Sequence, residues 1–435
     1  MNKKALTIFA LSTAPGKSAI ALIRVSGPDA YTSVEKISGN MPKRKNISTY
    51  NKILTRDGLT IDETITTFFK GPKSYTGEDV VEICIHGSQA VIKKAIKTLS
   101  EDESLRPAMQ GEFTRRAFEN NKLDLTQVEA IDDLIKAETE MQRKQAVSHL
   151  SGSFFKASKD IFNNLKKILA NIEAVIDFSE DDLPQNLINN IKEQIQNIIT
   201  SIEKTLADSD IGISIRDGFV VAILGKPNTG KSSFINNISG KDLAIVTNQP
   251  GTTRDLIESY LDIEGYPIKF VDTAGIRRAT NIVEKIGVEK AISVSKNADI
   301  NIVFIDKSED LQKFKDIENK IFIKSKQDIT KNDFNKGNYY NISSKSNYGI
   351  KNVLNIIIKK IEKKAPRESI HLSRERHISC LNSALKHLLS SQKDKNTDLF
   401  AEDIRQAIKN IASLFGGLDI EDILDIIFSD FCIGK

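Results

Sequence analysis

Residues 225–232 read Gly-Lys-Pro-Asn-Thr-Gly-Lys-Ser, two glycines, a lysine and a hydroxyl at the spacing of a loop that wraps phosphate. In such a loop the glycines let backbone amides close round a β-phosphate. Lys231 adds a point charge, and the Ser232 hydroxyl is a ligand for magnesium. The flanks suit the motif: 219–224 is a short apolar run fit for a buried strand, and 233–238 has the pattern of a following helix. A second Gly-Lys-Ser, at 16–18, has Leu11 in the place of the first glycine and is set aside.

Three further segments say which nucleotide and to what end. Asp272-Thr273-Ala274-Gly275 follows the apolar run 268–271; an aspartate there holds magnesium through water, and the glycine amide senses a γ-phosphate. Between it and the loop, Gly251-Thr252-Thr253 offers a switch threonine to complete the metal shell. After the strand-like run 321–324, Asp328 is placed to accept both guanine N–H donors, which favours GTP over ATP. Lys326 precedes it, and Ser343-Ser344-Lys345 is placed to close the base pocket from the other side. The usual guanine motif has asparagine where this chain has Ser325, so a shorter bridge to the phosphate loop and weaker GTP affinity are expected, with specificity kept. The expected nucleotide contacts are Asn228, Thr229, Gly230, Lys231, Ser232 and Ser233, then Thr247, Asn248, Gln249, Pro250, Gly251, Thr252 and Thr253. Asp272, Thr273, Ala274, Gly275, Lys326, Asp328, Ser343 and Ser344 complete them.

One absence matters for catalysis. Ile276 stands where small signalling GTPases carry a water-orienting glutamine, and an apolar side chain holds no water. Glu284, on the next segment, is within reach as a substitute, although its residue type alone reads more readily as a solvated carboxylate at a helix start.

The elements that must position these groups follow from size and texture. A chain of 435 residues exceeds one core and calls for about two to four domains. With 62 basic against 58 acidic residues, no global field commits it to nucleic acid. The cysteines Cys84, Cys380 and Cys432 are odd in number and widely spaced, which argues for a reducing compartment and against a disulfide framework or zinc site. The start, Lys3-Lys4 before 5–14, imitates a secretory signal but is interrupted by Thr7, Ser12 and Thr13; a cytoplasmic protein is expected. No apolar stretch reaches the roughly 20 residues that span a bilayer, so no membrane is expected.

Strand-like runs at 20–25, 64–69 and 80–85 and a helix at 89–99 mark an α+β unit over 1–118. From 153 to 211 there is no glycine, and Ile161, Leu165, Ile168 and Ile172, then Ile191, Ile195, Ile198 and Ile202, recur at helical spacing. From Gly212 to about Lys364 strand and helix patterns alternate, as in a mostly parallel sheet; helical texture returns after Pro366. Helical segments on both sides predict one discontinuous bundle with the nucleotide domain inserted into it.

The whole chain, from Ala19-Ile20-Ala21-Leu22-Ile23-Arg24-Val25-Ser26-Gly27 to Phe431-Cys432-Ile433-Gly434-Lys435, resembles the MnmE (or TrmE) tRNA modification GTPases. The segments Tyr75-Thr76-Gly77-Glu78-Asp79, Gly111-Glu112-Phe113-Thr114 and Lys122-Leu123-Asp124-Leu125 carry the likeness, in the family's order. The resemblance implies an N-terminal α+β domain of folate-binding type at 1–118 that also makes a homodimer. It further implies a helical domain at 119–213 and 369–435 with a Ras-like G domain inserted at 214–368. It implies work with the flavoprotein MnmG, as a heterotetramer with FAD and NADH on the partner, to place an aminomethyl-type (carboxymethylaminomethyl) group on carbon 5 of the wobble uridine of certain tRNAs. The one-carbon donor is a methylene-tetrahydrofolate. Arg24, Glu82, Lys122 and Lys435 match the family's folate site, and Cys432 is a candidate nucleophile, against the reading of an inert thiol. Hydrolysis in the family depends on potassium and on face-to-face pairing of G domains. The matching ligands are Asn228, Thr247, Gln249 and Thr252 for potassium, beside Ser232 and Thr253 for magnesium, and Glu284 matches the water-orienting glutamate. A ribosome-assembly GTPase shares the phosphate loop, but carries an RNA-binding domain, and no KH-type Gly-x-x-Gly loop or dense basic tail stands here.

Overall fold

The computed structural model describes residues 6–41, 46–177, 187–240, 257–272, 294–307, 309–328, 339–366, 372–393 and 396–416, with 424, 427–428, 431 and 434. The chain divides into two compact units, Met1–Asp132 with Ala412–Lys435, and Asp133–Ile411. Among the described residues no helix is long and apolar enough to cross a membrane.

The first unit is built on a six-stranded sheet of order β3-β4-β5-β2-β1-β6. Its strands are β1 (Thr7–Leu11), β2 (Ser18–Ser26), β3 (Ser48–Leu54), β4 (Thr60–Phe69), β5 (Val80–Gly87) and β6 (Leu105–Pro107). All pairs are antiparallel except β1 with β6. Alternation explains its two faces: Ala21, Ile23 and Val25 of β2 and Ile83 and Ile85 of β5 share a buried core with residues of helices α1 (Ala30–Lys36) and α2 (Gln89–Ser100). Between them in sequence, Arg24 and Glu82 point to the opposite face and are register partners. After α3 (Glu112–Glu119), Leu125 and Val128 at the start of α4 (Leu125–Lys136) pack with Leu424, Phe428 and Phe431, so the end of the chain returns to this unit. Gly434 sits where a Cβ would collide with the Leu11 carbonyl, and its own carbonyl accepts from Ser12 Oγ at 2.9 Å.

The second unit holds helices α5 (Glu140–Leu150), α6 (Ser153–Asp177), α7 (Leu187–Ala207) and α8 (Ser209–Asp217). The expected change of texture at Gly212 does not end the helix. That glycine lies inside α8, where its carbonyl accepts from Gln145 Nε2 at 3.2 Å. The glycine-free stretch forms helices as its spacing predicts, with Leu165, Ile168, Ile172, Ile191, Ile195 and Ile202 at most 1% exposed. Glu375–Ser391 (α12) packs on α7, and Gln392 Nε2 donates to the Lys192 carbonyl at 2.9 Å. Helices on both sides of the nucleotide domain thus form one bundle; α13 (Thr397–Ala412) joins it through Arg405 to Glu173 of α6 at 3.2 Å.

Inserted in the bundle is a sheet of order β12-β11-β10-β7-β9-β8. Its strands are β7 (Phe219–Gly225), β8 (Ile257–Ile263), β9 (Tyr266–Asp272), β10 (Ile300–Ile305), β11 (Lys320–Lys324) and β12 (Tyr339–Asn341). Helix α9 (Lys231–Ser239) follows β7, the short α10 (Glu309–Lys313) follows β10, and α11 (Ile350–Lys364) follows β12. Every pair is parallel except the β8–β9 hairpin. Near-continuous apolar strands are what a sheet covered on both faces needs, and all six residues of β10 are buried. Strand order turns about β7, whose carboxyl end is therefore the switch point where ligands bind in such sheets.

Two polar joints hold this domain to the bundle. Gln142 completes a capping box with Thr139 at the start of α5, and its Nε2 donates to the Arg216 carbonyl and the Tyr260 hydroxyl, both at 2.8 Å. Asp133 accepts from Arg216, just before β7, at 3.1 Å and from Arg374, beyond α11, at 2.7 Å.

Candidate active site

The phosphate loop joins the end of β7 to α9, and its shape explains its glycines. Gly225 (φ +138°) lies so close to β10 that a Cβ would stand 2.6 Å from the Phe304 carbonyl oxygen. Gly230 (φ +97°) would meet Ser325 Oγ at 2.6 Å. Lys231, 4% exposed, donates to the carbonyls of Gly225 at 2.9 Å and Lys226 at 2.5 Å. The Thr229 hydroxyl donates to the Lys226 carbonyl at 2.8 Å. Asn228 is exposed at the tip of the loop with φ +60°, and Ser232 and Ser233 are exposed on the first turn of α9.

At the mouth of the loop the Ser232 hydroxyl lies 3.3 Å from Asp272 Oδ2, at the end of β9. These are the hydroxyl and carboxylate expected to serve one magnesium ion, and oxygen donors side by side next to a phosphate loop fit a hard divalent cation. Asp272 itself is 1% exposed. A feature the motif did not announce braces the loop from outside. Lys226 forms an ion pair at 2.7 Å with Asp310 of α10, whose other oxygen accepts from the amides of Asp306 and Lys307 at 3.2 Å. Burial pushes the Asp310 carboxyl up, but Lys226 and those two amides outweigh it and hold it below the usual carboxylate range.

The base-side residues converge on the same loop. Ser325 donates its hydroxyl to the Thr229 carbonyl, and Lys326 Nζ donates to the Asn228 carbonyl at 2.9 Å. The serine that replaces asparagine therefore still reaches the phosphate loop. Asp328 accepts from the Ser343 hydroxyl at 2.7 Å, and that bond, helped by its own backbone amide and by Lys345, lowers its pKa. The carboxylate is thus held ionised and acceptor-only, the form that reads guanine. Ser344 follows in the same turn, its carbonyl taken by Asn237 of α9.

On the open face of the first sheet, Arg24 pairs with Glu82 at 2.8 Å and lies over the rings of Tyr75 at 5.0 Å and Phe113 at 5.7 Å. Tyr75 hydrogen-bonds Thr114 at 2.8 Å; burial pushes its phenol pKa up, against that bond and the nearby guanidinium. Lys122 Nζ donates to the Pro72 carbonyl at 3.0 Å, on the loop that carries Tyr75. Arg24 and Glu82 are brought together; Lys122 is placed on the same loop system. Tyr75, Phe113 and Thr114 had been visible only as motif letters, because a ring's stacking partner is a tertiary fact.

Thr247, Asn248, Gln249, Pro250, Gly251, Thr252, Thr253, Thr273, Ala274, Gly275, Glu284, Cys432 and Lys435 lie outside the described residues.

Residues 7–122 match the family described as GTP-binding protein TrmE N-terminus, and residues 125–432 the MnmE helical domain. The tRNA modification GTPase MnmE of Pelagibacter ubique (strain HTCC1062) is 42% identical over 450 residues, covering 99% of this chain and all of that protein. Its namesake from Rickettsia prowazekii (strain Madrid E) is 40% identical over the same shares of the two chains. Among solved structures, an Era variant from Aquifex aeolicus bound to GDP and AlF4- is similar over 41% of this chain and 69% of its own. Its identity is 22% and its TM-score 0.27, an overlap too partial to bear on the fold.

Proposed function

The chain belongs to the MnmE family of tRNA modification GTPases, and from that premise we propose how its own residues hydrolyse GTP and what the hydrolysis serves. Membership makes it a GTP hydrolase of tRNA modification, with GTP and tRNA as its ligands.

The hydrolytic reading is carried by Lys231, Ser232 and Asp272 converging at the carboxyl ends of β7 and β9. The loop amides and the start of α9 receive the β-phosphate, and Lys231 neutralises charge between the β- and γ-phosphates. Asp328, aimed by Ser343, selects guanine. Ser232 and Thr253, with Asp272 beside them, would hold magnesium, which would supply charge compensation to the phosphates. Asn228, Thr247, Gln249 and Thr252 would hold potassium, which would supply positive charge where other GTPases insert an arginine finger. Glu284 orients the attacking water in place of the missing glutamine. Thr273, Ala274 and Gly275 would serve the γ-phosphate.

Two G domains pair across a homodimer made by the N-terminal domains, within the partition 1–118, 119–213, 214–368 and 369–435. With MnmG, which brings FAD and NADH, the cycle serves attachment of the aminomethyl-type group to carbon 5 of the wobble uridine in the cytoplasm. Arg24, Glu82, Lys122 and Lys435 would hold the methylene-tetrahydrofolate, with Cys432 as a candidate nucleophile. A guanidinium fixed by a carboxylate and flanked by two rings suits a ligand with a flat heteroaromatic head and an acidic tail, which supports this assignment.

The test is GTP turnover by the purified chain in potassium and in sodium at equal ionic strength, with Glu284→Ala alongside. Turnover rises in potassium and is lost in the variant; equal rates in the two salts end the potassium reading and leave the fold untouched.

A further inference from the structure

Asn237 stands six residues beyond Lys231 on α9, about 9 Å along the helix from the phosphate end. Its Nδ2 donates to the Ser344 carbonyl and to Asn347 Oδ1, both at 2.7 Å, so one side chain ties the phosphate-binding helix to the turn that closes the base pocket. That turn is tightly built. Ser343 N donates to the Tyr348 carbonyl at 3.0 Å, Asn347 has φ +61°, and Gly349 (φ +74°) is packed against the Asn341 carbonyl. Ser343, 1% exposed, uses its hydroxyl twice, donating to Asp328 at 2.7 Å and accepting from the Ser346 amide at 3.2 Å. Whatever holds the turn therefore sets the direction of the Asp328 carboxylate.

Asn237 does so at a cost. Its Oδ1 and the Ser344 Oγ beside it are buried with no hydrogen-bond partner among the described residues. Buried polar atoms in a folded protein are nearly always satisfied, so a junction that leaves two of them wanting calls for an explanation, and its bonded half offers one.

We propose that Asn237 is a specificity-positioning residue of the GTPase. By clamping the 343–348 turn to α9, it fixes the distance from phosphate loop to base pocket and aims Asp328, through Ser343, at the N1 and N2 donors of guanine. The inference rests on Asp328 being the base reader and goes beyond it, since Asn237 touches no nucleotide.

The experiment measures Kd and steady-state kinetics of the full chain for GTP, ITP and XTP in magnesium and potassium. ITP lacks the guanine N2 amine, so the GTP-to-ITP affinity ratio reports how well Asp328 is aimed. Asn237→Ala weakens GTP about 5- to 10-fold and lowers the GTP-to-ITP ratio about threefold, with the effect in KM rather than kcat. Asn347→Gly keeps the backbone conformation and removes one acceptor; it shifts the ratio the same way by less, and serves if the alanine variant folds poorly. Equal weakening of GTP and ITP, or a ratio within the measurement error of the parent, overturns the proposal. Asp328→Asn separates the two levels. A gain in XTP affinity upholds the base reader and leaves Asn237 to be judged on the ratio, whereas no gain removes the reader and the proposal with it.

Discussion

Arg116 in the first unit and Lys231 in the second are both cations taken out of water, at 7% and 4% exposure, but they are held by different kinds of partner. The Arg116 guanidinium meets Glu78 at 3.0 Å and Glu112 at 3.1 Å, and donates to the Leu6 carbonyl at 2.8 Å. Glu112 is in turn paired to Arg106 and accepts from the Met109 amide at 2.8 Å. Lys231 is held by main-chain carbonyls of its own loop. Charges that neutralise one another inside a fold depend on each other for their burial. A charge cradled by the backbone leaves only neutral carbonyls behind when it is removed, and that of Lys226 still accepts from the Thr229 hydroxyl. The first arrangement is read out in stability and the second in nucleotide chemistry. The motif segments 75–79 and 111–114 thus each give one carboxylate, Glu78 and Glu112, to this ion network.

The sharpest way to break this contrast is Arg116→Met, which leaves the half-buried Glu78 without its cation and Glu112 with Arg106 alone. A loss of about 3–5 kcal/mol in urea unfolding is expected. A loss below about 1 kcal/mol would show that water reaches the site and that the network is not structural. Lys231→Ala tests the other side: kcat/KM for GTP falls about 10²–10³-fold while the unfolding midpoint stays put. If that variant instead melts early, the two regions do not differ as argued.

Acid unfolding sharpens the picture further. Burial pushes both Glu112 and Asp102 up, but Arg106 and the Met109 amide on one, and Ser104 and Lys36 on the other, outweigh it. Glu112 is lowered and Asp102 is held at about 2. Carboxyls depressed in the folded state add stability that is present above their unfolded pKa of about 4 and is lost as pH falls through the folded values. The first unit should lose stability chiefly between about pH 4 and 2, and Glu112→Gln should flatten that slope. An unchanged slope in circular dichroism titrations counts against the network's role. The smallest effect is expected at Tyr260→Phe, which takes one partner from Gln142 at the joint between nucleotide domain and bundle. About 0.5–1.5 kcal/mol is lost, with GTP affinity unaltered. Burial raises the Tyr260 phenol to about 12, so the loss is the same across the neutral range.

Local pattern carried much of the fold. Strand β7 extends the apolar run 219–224 by one residue, and α9 starts at Lys231, two residues before the apolar pattern begins, because the phosphate loop itself forms the first turn. Strand β3 was less legible, since Tyr50, Lys52 and Ser48 are exposed and only Asn51 and Ile53 are buried along it. Gly212 looked like a helix end and is a helix interior, protected by Gln145 from another helix. Glycine's meaning there depends on what packs on it.

Spacing along the chain pointed to a phosphate loop, a metal carboxylate and a guanine reader, because a nucleotide's dimensions impose fixed intervals on a strand, a loop and a helix. Only the folded molecule decided that Ser325 still bridges to Thr229, that Arg24 lies over Tyr75 and Phe113, that Asp133 joins Arg216 to Arg374, and that Asn237 ties the base-side turn to α9. Each of these is a contact between residues far apart in the chain, and such contacts are settled by how sheets and helices pack, which local periodicity does not encode.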